Sequence, residues 1–128
     1  MNTSIRLIVS FVALLAFSAE AAEAADVSGS WSAKIVTAAG QRDYTFTFRQ
    51  NEGKLIGTIK SPDGVATISN GYINAKTITF TENVTVQGRR AVFDYTGELV
   101  SDTEIRFKRE AGPGSPGVEF VATRVGGR

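Results

Sequence analysis

The sequence predicts an all-β fold, a single antiparallel barrel of eight strands in up-and-down order. Three observations predict it. Residues 42–51 alternate polar and apolar side chains along a whole strand, with Tyr44, Phe46 and Phe48 on one side. Turn motifs such as Pro62-Asp63-Gly64 separate short extended segments. From residue 29 onward no segment has the apolar spacing of a convincing helix.

The N-terminal residues have the layout of a secretory signal peptide. Arg6 precedes an apolar segment at residues 7–17, and two small-x-small motifs follow it, of which the second, ending at Ala24, is the favoured cleavage site. The apolar segment is too short to cross a membrane, and no later segment resembles a span. We therefore predict a signal peptide at residues 1–24, a single barrel domain at residues 25–128, and a periplasmic or secreted location.

Eight extended segments follow, and each is bounded by residues that favour turns. The first contains Trp31, the only tryptophan of the chain. Tight hairpin turns are predicted at Glu52-Gly53 and Gln87-Gly88, and the longest break is the glycine-proline segment 112–117. The predicted strands are Gly29–Val36, Arg42–Asn51, Lys54–Ser61, Val65–Asn74, Thr77–Val86, Arg89–Val100, Thr103–Glu110 and Val118–Arg124.

The short connections decide how these strands are arranged. Strands joined in order by turns of a few residues favour an antiparallel meander. An open meander of eight strands would expose two long edges, and closing it into a barrel removes them. Inside the fourth strand, Asn70-Gly71 is interpreted as a β-bulge, since Tyr72 and Ile73 continue the extended pattern.

Side-chain parity assigns the barrel interior, because alternate residues of a strand face opposite sides. Glu82 and Arg124 are charged residues on inward parities, and Arg109 shares that parity at a strand end. We expect a bulge at Glu82-Asn83 to turn the carboxylate outward. In the alternative, Glu82 lies inside and pairs with Arg124 or Arg109. The residues assigned to the interior are Trp31, Ala33, Ile35, Tyr44, Phe46, Phe48, Leu55, Gly57, Ile59, Ile78, Phe80, Val84, Val86, Ala91, Phe93, Tyr95, Leu99, Ile105, Phe107, Val118, Phe120 and Ala122.

Composition excludes several classes of function. The chain has 128 residues, no cysteine and no histidine, so zinc sites of the Cys/His type, thiol nucleophiles and triads with an imidazole base are excluded. Its net charge is +1 and its basic residues are scattered, whereas a nucleic-acid-binding protein concentrates them on one face. No pair of carboxylates has a spacing that requires proximity. We therefore expect no enzyme, no cofactor, no metal and no nucleic-acid partner.

Gly29-x-Trp31 on the first strand and Arg124 on the last resemble the pattern of the calycin superfamily, which contains the lipocalins, fatty-acid-binding proteins and avidins. The resemblance implies that Trp31 plugs one end of the barrel and that Arg124 packs over it. The sequence is also similar to a small domain of unknown function in exported bacterial proteins, which stands alone or accompanies secreted hydrolases. The pieces that carry this second likeness are Leu55-x-Gly57-Thr58, Ile68-x-x-Gly71-x-Ile73, Ile78-x-Phe80, Tyr95-x-Gly97 and Phe120-x-Ala122-x-Arg124.

The predicted architecture favours a binding module. An eight-stranded barrel is either filled by its side chains or holds one small ligand, and the many large inward residues indicate a mostly filled interior. We therefore expect any small apolar or amphipathic ligand at the mouth opposite Trp31. Tyr44, Tyr72 and Tyr95 are the amphipathic candidates for this mouth, with Glu82 as a polar anchor if it faces inward.

A second function remains open at this point. The chain is also compatible with a structural or interaction module, such as an inhibitor-like accessory of an exported hydrolase that binds through an outer face. In both cases the expected product is a monomer whose partner is either a small molecule or another exported protein.

Overall fold

The computed structural model describes residues 26–112 and 115–126, all of them in strands, turns or irregular segments. The predicted signal peptide and its cleavage site lie outside the described residues. The strands form one closed antiparallel barrel in which each strand pairs with its neighbours in the sequence. They are β1 (Gly29–Thr37), β2 (Gly40–Asn51), β3 (Lys54–Ser61), β4 (Gly64–Asn74), β5 (Thr77–Val86), β6 (Arg89–Ser101), β7 (Glu104–Glu110) and β8 (Val118–Arg124).

The eight-stranded up-and-down barrel is therefore confirmed, and its geometry is compatible with a calycin-like fold. The two-residue hairpin between β5 and β6 shows why the connections are so short. Gln87 and Gly88 both have positive φ, 54° and 78°, which gives a turn whose twist matches that of the flanking strands. Across the described ranges there is no helix long and apolar enough to span a membrane.

A bulge in β4 determines which of its residues face the core. The pairing with β5 shifts between Ser69 and Tyr72, and Asn70 has a φ of 53°, so the predicted bulge at Asn70-Gly71 is confirmed. The bulge reverses the parity of the strand, and Ile68 and Ile73 are both buried although five positions separate them.

Aromatic rings fill the middle of the barrel. Phe46 is fully buried, and its ring centroid lies 5.7 Å from that of Phe107 and 6.0 Å from that of Phe120. Tyr95 stacks on Phe80 with a centroid distance of 4.6 Å. Contacts of this kind add to the area that the rings bury. The interior is thus packed at mid-height and is not a continuous channel.

One end of the barrel is closed by Trp31. This residue is fully buried, and its Nε1 donates a hydrogen bond to the Val27 carbonyl at 2.9 Å. The guanidinium carbon of Arg124 lies 4.5 Å from the centroid of the indole ring. The same guanidinium donates to the carbonyl oxygens of Asp26, Ser28 and Asp102. The structure therefore places Arg124 over Trp31 and ties the last strand to the segment that precedes β1.

Backbone hydrogen bonds outside the strand ladders reinforce this closed end. Four of them join a turn or strand end there to another strand: Ile73 to Gly53 at 2.9 Å, Leu99 to Lys76 at 2.8 Å, Arg124 to Thr103 at 3.0 Å and Val125 to Ser30 at 2.8 Å, each written as donor to acceptor. Among the residues described at the opposite end, the corresponding bond joins Ser115 to Gly112 within one connection. The closed end is therefore tied from strand to strand.

We call the opposite end, which contains the connections at residues 38–39, 62–63 and 87–88 and the described residues 111–112 and 115–117, the open end. Several inward residues here are only half-buried, whereas their counterparts deeper in the barrel are buried. The half-buried apolar residues are Val84, Val86, Ala91, Phe93 and Val118. The two ends of the barrel thus differ in both packing and bonding.

Candidate functional site

Three strands bring a carboxylate, a phenol and a guanidinium together just inside the open end. Glu82 on β5 pairs with Phe93 on β6, and Tyr95 on β6 pairs with Arg109 on β7. Because alternate residues of a strand face the same side, all four side chains belong to the inward set. The register of three adjacent strands thus creates this cluster.

Glu82 is buried, with only 2% of its surface exposed. Its Oε1 accepts a hydrogen bond from the Tyr95 hydroxyl at 2.7 Å and lies 3.8 Å from Nη2 of Arg109. Burial raises the pKa of Glu82 above its ordinary value, although the Tyr95 hydrogen bond and the Arg109 charge oppose this shift. The carboxyl group therefore keeps its proton to a higher pH than an exposed glutamate does.

The expectation that Glu82 turns outward is wrong. The pairing of β5 with β6 runs through Glu82 and Asn83 without a shift, so no bulge rotates the carboxylate. The irregularity lies instead on β4, between Ser69 and Tyr72. The inward alternative holds, and of the two partners considered for it, Arg109 is the one in contact.

Arg109 is held mainly by aromatic faces. Its guanidinium carbon lies 3.7 Å from the ring centroid of Phe93 and 5.5 Å from that of Tyr44, and its side chain is 11% exposed. Cation–π contacts of this kind are stronger when the cation is desolvated. Its Nε is buried and has no hydrogen-bond partner within residues 26–112 and 115–126. Arg109 therefore retains unused donor capacity.

A second arginine lies on the inward parity of β2 at the same end. Arg42 is two residues before Tyr44, and its Nη2 lies 3.2 Å from Oδ1 of Asp63 in the connection between β3 and β4. Its Nε is also buried without a partner. Among the buried side-chain nitrogen and oxygen atoms in the described part of the chain, two lack a hydrogen bond, and they are these two Nε atoms. Both belong to the open end.

Tyr44 lies near both arginines and is buried. Burial raises the pKa of its phenol, the charges of Glu82 and Asp63 act in the same direction, and those of Arg109 and Arg42 oppose it. The phenol is therefore neutral at physiological pH and can donate a hydrogen bond. We call Arg42, Tyr44, Glu82, Tyr95 and Arg109 the open-end cluster.

The structure brings together three of the four ligand-binding candidates from the sequence. Tyr44, Tyr95 and Glu82 meet in the open-end cluster. Tyr72 does not, because it is 52% exposed on the outer face and pairs with Lys54 near the closed end. The β4 bulge is the physical reason, since it reverses the parity at which Tyr72 stands.

Arg42 is the member of the open-end cluster that the sequence analysis missed. The alternation that predicted β2 is clear from Tyr44 onward, and Arg42 continues the same parity one step closer to the turn. Extending the inward set to the strand end would have included it. Long side chains at such positions can face the mouth of a barrel while their charged groups stay near water.

The open-end cluster contains several hydrogen-bond donors that a bound molecule could use. Two guanidinium groups and the Tyr44 hydroxyl can all donate hydrogen bonds, and guanidinium groups match the geometry of planar oxygen acceptors. For a metal ion, the described residues contain no group of three or more histidine, cysteine, aspartate or glutamate side chains that could hold one.

A separate groove of about 690 Å³ lies on the outer face across β5 to β8. Gly97 and charged side chains such as Arg106, Lys108 and Glu119 line it. Arg106 lies 3.7 Å from Glu104 on the same strand, with most of its side chain exposed to solvent. This groove is a solvated surface with charges of both signs.

Comparison of the chain with protein-family models, with curated proteins and with solved structures gives no significant match. The functional interpretation of the barrel therefore depends on its own residues.

Proposed function

We propose that this protein is an exported, non-enzymatic binding module that holds a small amphipathic ligand at the open end of its barrel. The observation that carries the proposal is the difference between the two ends. Trp31 and strand-to-strand hydrogen bonds close one end. The other end has half-buried apolar side chains beside the open-end cluster.

The packed centre of the barrel supports a ligand site at the mouth rather than in the interior. Phe46 and Phe80 are buried in the aromatic cluster, with their ring centroids 6.3 Å apart. Small-molecule sites combine apolar walls with a few placed polar groups. Val84, Ala91 and Phe93 supply such walls at the open end, and the open-end cluster supplies the polar groups.

The rest of the proposal comes from the sequence. The signal-peptide layout of residues 1–24 supports export to the periplasm or the medium. The Trp31 and Arg124 pair supports the resemblance to the calycin superfamily, in which the tryptophan plugs one end of the barrel and the arginine packs over it. A monomer is the simplest assembly, because β1 and β8 pair with each other and close the barrel.

Native mass spectrometry of the protein purified from the export compartment tests this function. We expect a reproducible extra mass that disappears when the protein is denatured. Ala91→Trp places a large ring at the open end and should abolish the extra mass. Val92→Trp, on the outer face of the same strand, is the matched control and should retain it. A bare protein in every preparation would contradict the proposal.

A second candidate function is a protein-interaction module that acts through the outer face. The outer groove of about 690 Å³ is the observation that favours it. Val121, one of the residues that line the groove, is 44% exposed. If this function is correct, an exported partner will bind the Ala91→Trp protein as well as the parent, and Val121→Arg will weaken that binding.

A further inference from the structure

We propose that the ligand of the open end is a small organic anion, an aromatic or short-chain carboxylate, whose charged group is bound by Arg42, Arg109 and Tyr44. This inference rests on the proposed function and adds the chemical class and the size of the ligand. Four observations lead to it.

The first observation is the unused donor capacity of the two arginines. Nearly all buried nitrogen and oxygen atoms in proteins have a hydrogen-bond partner. Arg42 and Arg109 each keep a buried Nε without one, and they are at the same end of the barrel. An acceptor with two oxygens matches the fork of a guanidinium group. Because both Nε atoms are buried, a carboxylate reaches them only when the two side chains turn toward the mouth, and it would then supply the missing acceptors.

The second observation is the length of the ion pair between Arg109 and Glu82. The contact is 3.8 Å, longer than a hydrogen bond. Oε1 of Glu82 already accepts the Tyr95 hydroxyl at 2.7 Å. Burial also raises the pKa of Glu82, which favours the neutral acid beside Arg109. The positive charge of Arg109 is thus only partly balanced by the protein.

The third observation is the hydroxyl of Tyr44. Of the three tyrosines, Tyr95 donates to Glu82 and Tyr72 lies on the outer face. Tyr44 lies two residues from Arg42 on β2, and its ring centroid is 5.5 Å from the guanidinium carbon of Arg109. Its phenol is a neutral donor, because burial raises its pKa. A third donor is therefore available to the same anion.

The fourth observation limits the size of the ligand. The rings of Phe46, Phe80, Tyr95 and Phe107 lie within 4.6–6.3 Å of one another, centroid to centroid. A long alkyl chain would have to displace them to enter the barrel. Val84, Ala91 and Val118 around the mouth can cover a ring or a short chain. The apolar part of the ligand is therefore compact.

Titration of the exported protein with four probes tests this inference, with nitrogen-detected nuclear magnetic resonance of the arginine Nε–H groups as the readout. The probes are benzoate, benzamide, hexadecanoate and inorganic phosphate. We expect saturable benzoate binding that shifts the Arg42 and Arg109 signals. Benzamide, which has the same shape without the charge, should bind at least tenfold more weakly. Hexadecanoate should bind no more tightly than benzoate.

Variants on one strand provide the matched comparison. Arg42→Gln should weaken benzoate binding at least tenfold, whereas Arg49→Gln, on the exposed outer face of β2, should leave it within about twofold of the parent. Tyr44→Phe should weaken it severalfold. Arg42 is preferred to Arg109 for this test, because loss of Arg109 also removes the partner of a buried carboxyl group.

Each contrary outcome has a distinct meaning. Equal binding of benzoate and benzamide, or equal effects of the two arginine variants, would overturn the anion inference. Phosphate binding as tight as benzoate would mean an adventitious ion only, and tighter hexadecanoate would overturn the size limit. If anions fail to bind while a neutral molecule co-purifies and is lost in Ala91→Trp, this inference fails and the proposed function stands. If nothing co-purifies and no probe binds, the proposed function fails as well.

Discussion

At the scale of single residues, the carboxyl group of Glu82 is buried inside the barrel. A carboxyl group inside an apolar barrel loses its hydration, and one hydrogen bond from Tyr95 and a distant contact with Arg109 replace only part of it. The neutral acid is the less costly form in such a place. The proton on Glu82 therefore couples the charge of the open end to the pH.

Glu82 should make the stability of the protein depend on pH in a defined direction. The pKa of Glu82 is raised in the folded state from its ordinary value of 4.5. The folded state thus binds this proton more tightly than the unfolded state does. Its contribution to stability is full below pH 4.5 and is lost as the pH rises toward the raised folded pKa. The free energy of unfolding should fall across this window.

Urea unfolding at a series of pH values checks the prediction. Glu82→Gln keeps the shape of the side chain and cannot ionise, so its free energy of unfolding should fall less over the window than that of the parent. Glu98→Gln, an exposed residue of β6, is the control and should keep the slope of the parent. Parallel curves for parent and Glu82→Gln would show that Glu82 does not titrate with a raised pKa.

At the scale of the strand, the alternation of polar and apolar residues predicts which side chains face the core as long as the strand is regular. In β2, Tyr44, Phe46 and Phe48 share one face and all three are buried, as their spacing predicts. In β4 a bulge resets the parity, and Tyr72 on its far side faces solvent. The position of a bulge can be predicted from an Asn-Gly pair, but the face it assigns to the following residues depends on the register with both neighbouring strands.

The open-end cluster was only partly predictable for the same reason. The alternation of side chains along β5 and β6 assigned Glu82 and Tyr95 to the inward face of the sheet. Their hydrogen bond also requires the register of β5 against β6, which pairs Glu82 with Phe93 and sets Tyr95 two residues further along. The unpaired Nε atoms of Arg42 and Arg109 have no signal in the sequence, since they depend on distances between strands that are far apart in the chain.

The β4 bulge should tolerate no side chain at Gly71. A Cβ atom added there would overlap the carbonyl oxygen of Leu55 on β3, and that oxygen belongs to the backbone and cannot move aside. Gly71→Ala should therefore lower the free energy of unfolding by about 2–4 kcal/mol. Gly53→Ala is the control, because the nearest atom to its added Cβ would be 3.6 Å away. Chemical unfolding of both variants gives the measurement, and equal stabilities would contradict the steric account.

At the scale of the whole molecule, the barrel separates stability from binding along its axis. The closed end carries Trp31, the Arg124 contacts and the strand-to-strand backbone hydrogen bonds. The open end carries the donors that lack partners. Polar groups that bind a ligand often lack hydrogen-bond partners in the free protein, and well-packed parts elsewhere stabilise the fold enough to tolerate this. The packed aromatic centre lies between the two ends, so changes at one should add independently to changes at the other.

Arg124→Lys tests this separation. Lysine keeps the charge but cannot reproduce a planar group that stacks on Trp31 and donates to three carbonyl oxygens. We expect the free energy of unfolding to fall by about 1–3 kcal/mol. Arg106→Lys, whose side chain is mostly exposed, should change it by less than about 0.5 kcal/mol.

The same variants should behave differently toward a ligand. Arg124→Lys should keep its benzoate affinity within about twofold of the parent, whereas Arg42→Gln should lose affinity with a smaller loss of stability. Urea unfolding and benzoate titration of the same protein samples provide both quantities. If Arg124→Lys weakens benzoate binding tenfold at temperatures where it is fully folded, then the two ends are coupled. The closed end would then take part in shaping the mouth, in addition to stabilising the fold.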